Sequence, residues 1–296
     1  MDKAVIMKKR IAILFHENGA KSTSHYLISC FADIWRKKGN EVTFLFGTKK
    51  FVPADLIIVH VDLSVVPDKY LEFAKQYPIV LNGEIKDIRK STFSKNLVGI
   101  DDPYEGKVIV KSNLNFAGHP ERRLNKLCFA RFRTGAALKL FSPPFPFKSK
   151  LDYKIYDHPS LVPRAYFKNP NVLVEKFLPE KEGDLYFSRT FYFLGDRTSC
   201  VRISSKNPIV ESKYHISLEI VEPHPKIIEY RKALKFDYGN FDYQIHHGEV
   251  VLVDTNKTTG MGTASYALKV KQFHSDRAGG IYSYFNDTGP GNSFGN

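Results

Sequence analysis

The sequence predicts a chain of mixed helices and strands that opens as a parallel α/β layer and closes in antiparallel hairpins. Two observations carry that expectation. Over the first 83 residues, short apolar runs rich in branched side chains alternate with helical periodicity, the pattern of strands joined by covering helices. Nearer the C-terminus, two strand-like stretches fold back on themselves at "GDR" and at "HHGE", where a glycine relieves the backbone of a tight turn.

The elements follow in order. "RIAILF" reads as a strand, "SHYLISCFADIWRKKG" as an amphipathic helix ending at Gly39, and "EVTFLF" as a second strand. "ADLIIVHV" and "YPIVLNG" are two further strands, with a helix near 67–76 between them. No GxGxxG follows the first strand, so a dinucleotide site is not supported. From about residue 84 the chain turns basic, in "EIKDIRKSTFSKN", and passes through a strand, "GKVIVKS". "NLNFAGHPERRLNK" is polar and is expected to be a mobile loop, and the prolines of "FSPPFPFKSK" exclude a regular helix or a central strand. "NVLVEKFLPE" is another strand, residues 224–236 are helical, and the tail "GPGNSFGN" is expected to be poorly ordered.

Composition bounds the function more loosely. The 296 residues suffice for one large domain or two modest ones, and 43% hydrophobic with 25% charged residues describes a soluble globular protein. The net charge of +13 favours an anionic partner, whether nucleotide phosphates, an acidic substrate, nucleic acid or a membrane surface, without choosing among them. Cys30, Cys128 and Cys200 form no CxxC pair, which argues against a disulfide framework or structural zinc and for a reducing cytosol. The apolar stretch "IAILF" is too short for a signal peptide, and no run approaches a membrane span. The expectation is a soluble, cytoplasmic protein.

The candidate chemistry gathers on the last hairpin. Asp254 and Asn256, two residues apart on a strand, point to one side, and a turn at His247–Gly248 would bring Asp242 of the facing strand beside them. Magnesium takes oxygen ligands, often one or two carboxylates completed by substrate phosphates and water, so the trio suits a metal–nucleotide site. The same side chains could equally cap turns. Lys111, ending "VIVK", could reach a phosphate or could be an edge lysine. The backbone of "VLVEKFLPE" could meet a purine, with Glu180 or Glu182 near a ribose hydroxyl, or it could be a strand ending at Pro179. His246 and His247 read as solvated turn residues, and the aromatic runs as core.

Taken together and in this order, these segments resemble the ATP-grasp superfamily, with an affinity to carboxylate–amine ligases and glutathione-synthetase-like ATP-binding domains. "VIVKSNLNFAG" is similar to its phosphate-contacting strand and loop, "VLVEKFLPE" to its adenine-binding connection, and "DYGNFDYQIHHGEVVLVDTNKTTG" to its metal-binding segment. The resemblance implies an N-terminal parallel α/β pre-domain over 1–83, an ATP-grasp domain of two α+β subdomains over 84–275, and a Gly/Asn-rich tail over 276–296. It implies ATP and Mg2+ as cofactors, with Asp242, Asp254 and Asn256 as metal ligands and Lys111 on a phosphate. Glu175, the backbone of Lys176 and Leu178, and Glu182 would face the adenosine, and Arg202, with Arg189 as a second candidate, would steady the transferring phosphoryl group.

The chain departs from the family in its single loop glycine, Gly118, in the short spacing from Lys90 to Lys111, and in Thr258 and Thr259 where proline is common. Asn240 stands where some peptide-forming relatives have arginine. The implied reaction joins a small-molecule or peptide carboxylate to an amine through an acyl-phosphate, with homo-oligomerisation left open. A small-molecule kinase of the same fold is the alternative. A nucleic-acid-binding protein fits the charge, but the acids of the last hairpin would repel phosphate backbones.

Overall fold

The computed structural model describes residues 8–19, 23–124, 146–211, 214–262 and 272–286. Four parallel strands come first: β1 (Arg10–Phe15), β2 (Glu41–Phe46), β3 (Leu56–Val59) and the two-residue β4 (Val80–Leu81), in the order β2-β1-β3-β4. Helix α1 (Leu27–Lys37) covers one face through Phe31 and Trp35, and α2 (Asp68–Ala74) covers the other through Tyr70 and Phe73. With both faces buried, β1 beyond Arg10 and all of β3 need apolar side chains at every position, which is why they are continuous rather than alternating.

A one-turn helix, α3 (Lys90–Phe93), leads into a three-stranded antiparallel sheet of β5 (Val108–Ser112), β6 (Lys154–Tyr156) and β7 (Val172–Lys176), in the order β6-β5-β7. The larger sheet is antiparallel and runs β11 (Leu218–Val221), β10 (Arg197–Ser205), β9 (Leu185–Leu194), β12 (Tyr238–His246), β13 (Glu249–Asn256), with the short β8 (Glu180–Glu182) also paired to β9. Phe191, Phe193, Phe241, Tyr243 and Leu252 fill the layer beneath its helix, Pro225–Ala233. Both expected hairpins are present. The turn after β9 uses Gly195 (φ +56), and the turn after β12 uses His247 (φ +48) and Gly248 (φ +85). Positive φ at two central residues matches the right-handed twist of the flanking strands.

Two expectations are corrected. The segment expected as a mobile polar loop is, over 115–124, a 3-10 turn followed by helix α4 (His119–Leu124), with Ala117, Pro120 and Leu124 buried. Ser64 fastens it, accepting from the Asn115 N–H and donating its own N–H to Glu121, both at 2.8 Å. The left-handed backbone that a glycine-rich loop would supply is instead adopted by Phe116 (φ +44) and Ala117 (φ +54) ahead of Gly118, at about 1–2 kcal/mol for each side chain. The tail expected from 276 is helical as far as 286: Gln272–Gly279, Gly280–Tyr282 and Ser283–Asn286 run in succession. Ala278 and Ile281 are fully buried against α1. "GPGNSFGN", Cys128, and the parts of "NLNFAGHPERRLNK" and "FSPPFPFKSK" over 125–126 and 141–145 lie outside the described residues.

Candidate nucleotide and metal site

A cleft opens between the three-stranded sheet and the larger one, and its lining divides by chemistry. Ile109, Phe177, Leu178, Ile209, Val251 and Val253 give it apolar walls. Lys90, Lys111 and Lys150 meet Glu175, Asp242 and Asp254 within it.

The acidic pair owes its geometry to the last hairpin. Asp242 and Asp254 lie directly opposite each other across β12 and β13, as do Asn240 and Asn256. A bulge between Asp242 and Tyr243 leaves Val253 without a cross-strand partner. The extra residue of a bulge frees its backbone groups, and the Val253 carbonyl accepts from Lys111 Nζ at 3.3 Å. Lys111 also pairs with Glu175 at 2.5 Å, both side chains being buried.

Lys90, whose side chain is 1% exposed, stands 3.1 Å from Asp254 Oδ1 and donates to the Leu114 carbonyl at 3.1 Å. Lys150 Nζ lies between the two aspartates, 3.4 Å from Asp242 Oδ2 and 3.7 Å from Asp254 Oδ2. Burial alone would lower the Lys150 ammonium, but Asp242 and Asp254 overcome it and hold its pKa well above the ordinary lysine value. Burial likewise pushes the Asp254 carboxyl up, and Lys90, Lys150 and Lys111 more than offset that, leaving it below the ordinary range.

The structure thus gathers Lys111, Glu175, Lys176, Leu178, Asp242 and Asp254 around one cleft. Glu175 answers Lys111 within it. The Lys176 N–H is committed to the Asn96 carbonyl at 2.8 Å, so of its two backbone groups only the carbonyl is a candidate to meet a base. Asn256 sits beside the acids, yet its Oδ1 accepts from the Thr258 N–H at 2.8 Å and from Asn115 Nδ2 at 3.4 Å, the single Thr258 hydroxyl proton going to Asp62 Oδ1 at 2.8 Å. Two donors use both lone pairs of an amide oxygen, so Asn256 caps the turn here, and the groups left to suit a metal are the two carboxylates. Among the described residues no cluster of three or more His, Cys, Asp or Glu could hold a metal ion. Two carboxylates facing Lys90, Lys111 and Lys150 nonetheless fit a magnesium ion whose remaining ligands are phosphate and water.

Arg189, Arg202 and Glu182 are not brought to the cleft. Alternation along a strand decides this. Arg189 shares the side of Phe191 on β9, and Arg202 shares that of Cys200 on β10, both facing the aromatic layer. Ser188 and Thr190 point into the cleft, where Thr190 Oγ1 donates to Asp242 Oδ1 at 3.0 Å. The arginines instead converge on the buried Glu180: Arg189 Nε donates at 3.0 Å, Arg202 Nε at 2.9 Å, and the Ile245 N–H at 3.0 Å. Arg202 also pairs with Glu182 and stacks on Phe187 at 3.6 Å. This cluster anchors the connection after Leu178 to the large sheet.

Sequence reasoning undervalued Lys90 and missed Lys150. The signal for Lys150 was a capping box: Ser149 accepts from Leu151 N, and Asp152 accepts from the backbone of Lys148 and Ser149, which fixes the 3-10 turn that carries Lys150.

No family model and no curated protein matches the chain. Solved structures do. An ATP-grasp RimK domain protein from Sphaerobacter thermophilus DSM 20745 superposes with a TM-score of 0.51 at 10% identity, over 92% of this chain and 99% of that one. A D-alanine–D-alanine ligase from Bacillus anthracis gives 0.49 at 13% identity, over 93% and 96%. At such identities the likeness concerns the fold alone. Over 92% of its length the chain shares the fold of an ATP-grasp protein.

Proposed function

We propose that the protein is an ATP- and magnesium-dependent ligase that joins a carboxylate to an amine through an acyl-phosphate. The observation that carries this reading is the cross-strand pair Asp242–Asp254 set against Lys90, Lys111 and Lys150 in a cleft with apolar walls. Those walls suit a purine ring, met by the Lys176 carbonyl and the Leu178 backbone. The lysines suit phosphates, whose transfer is helped chiefly by positioning and neutralising charge. Asp242 and Asp254 would hold the magnesium, which when bound adds Lewis-acid neutralisation of the phosphates.

In this reading residues 1–83 are the pre-domain, 84–275 the ATP-grasp domain, and the acceptors small-molecule or peptide carboxylates and amines. Among the described residues no helix is long and apolar enough to cross a membrane. Glu180, Arg189 and Arg202 act by fixing the adenine-side connection rather than by touching the transferring group.

The test follows the γ-phosphate. Carboxylates and amines are screened together with labelled ATP, and the label and the product mass are tracked. Ligation gives ADP, labelled free phosphate and a condensed product without phosphorus, because the phosphoryl group leaves as the amine attacks. Label retained on a stable alcohol or sugar would instead make the protein a kinase.

A further inference from the structure

We infer that Lys150 is a place-holding cation, which neutralises the Asp242–Asp254 pair in the free protein and yields it to a divalent metal only when a nucleotide arrives with that metal. The inference rests on the ATP reading above and adds an order of events that the fold does not require.

Charge comes first. Lys90, Lys111 and Lys150 already match Glu175, Asp242 and Asp254, and Lys176, whose ammonium lies over the Tyr104 ring, adds a fourth cation to the lining, so the cleft carries no surplus of negative charge. A bare divalent cation entering there meets no surplus of negative charge and an ammonium already between the two carboxylates. Like charges held a few ångströms apart away from bulk water repel strongly. A triphosphate brings its own negative charge and gives the displaced ammonium somewhere to go.

Geometry says which lysine moves. Lys90 and Lys111 have side chains 1% and 5% exposed, and a backbone carbonyl anchors each of them, Leu114 O and Val253 O respectively. Lys150 is built differently. Its side chain is 29% exposed, it rides on a three-residue 3-10 turn, and its contacts at 3.4 and 3.7 Å are long for charge-assisted bonds. Asp242 Oδ1 is occupied by Thr190 and Asn240, and Asp254 Oδ1 faces Lys90. The two Oδ2 atoms that Lys150 bridges are therefore the ones a metal would need.

The experiment measures Mn2+ binding by electron paramagnetic resonance, with and without a non-hydrolysable ATP analogue. Wild type, Lys150→Met and Lys150→Arg are compared, each shown to be folded by circular dichroism. Wild type should bind Mn2+ about tenfold or more weakly alone than with the analogue, and Lys150→Met should tighten nucleotide-free binding by a similar factor while shrinking the coupling between the two ligands. Lys150→Arg, which keeps the charge, should behave as wild type. Adding Asp242→Asn to Lys150→Met should abolish the gain. A folded Lys150→Met with wild-type Mn2+ affinity overturns the proposal. If that variant does not fold, wild type decides, since Mn2+ bound equally well with and without the analogue overturns it too. Failure of the analogue to bind wild type under any condition sinks the ATP reading instead, and the nucleotide-free Mn2+ comparison still judges Lys150.

Discussion

Asp254 is at once a cleft carboxylate and the main counter-charge of a lysine that has no route to water. Asp254→Asn leaves the buried Lys90 without its nearest counter-charge, and breaking a buried pair in this way costs about 3–5 kcal/mol. The variant should therefore unfold at clearly lower denaturant as well as lose metal-dependent nucleotide binding, and unchanged stability would contradict the pairing. The sign of the pH dependence follows. The folded carboxyl lies below its ordinary value, so its stabilisation is present above the ordinary carboxylate range and is lost as pH falls through the folded pKa. Lys257 runs the other way. It is fully buried, it donates to Leu63 O at 2.7 Å, and burial brings its pKa from 10.5 down to about 8 against the pull of Asp62, Glu121 and Asp87. Between those two values the unfolded chain binds the extra proton, so stability should rise with pH across that window. Lys257→Met should flatten the rise and be more destabilising at pH 10 than at pH 7, as read from denaturation curves at the two pH values. At this scale the aspartates were legible only in part: the turn at His247–Gly248 alone would set Asp242 opposite Val253, and it is the bulge before Tyr243, which no residue pattern announces, that brings Asp254 opposite Asp242. Lys150 was not legible: "FKSK" offers two lysines, and only the cap at Ser149 distinguishes them.

Elements explain why the arginines could not be placed from sequence. Pairing across the Gly195 turn sets Arg202 opposite Arg189 and so gives them a common side, but both sides of this sheet are covered, one by an aromatic layer and one by the cleft. Alternation gives parity without saying which side is which. The short strands β6, β8 and β11 were illegible for a related reason. Three or four residues carry little pattern of their own, and partners create such strands. The same pairing makes Gly239 a sharp test of the hairpin. A Cβ there would stand 2.2 Å from the Asn256 carbonyl, so Gly239→Ala must push the end of β13 away from β12. That overpacking costs about 1–3 kcal/mol, and it shifts the strand that carries Asp254. Gly239→Ala should lower the melting temperature and also abolish the further rise produced by magnesium with an ATP analogue. A variant that keeps the ligand-induced rise would mean that the Asp242–Asp254 register tolerates the shift.

At the scale of the molecule, the last described helices turn the first layer and the large sheet into one packed body. Trp35 Nε1 donates to the Ala278 carbonyl at 2.7 Å, Asn40 Nδ2 donates to Tyr282 Oη at 2.7 Å, and Tyr284 Oη reaches Asp237 Oδ1 at 3.2 Å. Gly280 lies so close to Leu194 that a Cβ would stand 1.9 Å from its carbonyl. One apolar cluster accordingly holds Ile11, Phe31 and Trp35 of the first layer with Leu194, Tyr238, Ala278 and Ile281. "DRAGGIYSYFN" reads as tail because glycines and polar residues leave almost no apolar stripe, and its helices owe their form to the groove they fill. Ile281→Ala tests whether that groove is structural. Truncating a fully buried isoleucine costs about 2–5 kcal/mol. Because the cluster spans both layers, the loss should appear as one earlier, cooperative transition reported alike by Trp35 fluorescence and by far-ultraviolet circular dichroism. Two separated transitions, with the tryptophan signal moving first, would show that the first layer unfolds by itself and that the C-terminal helices only rest against it.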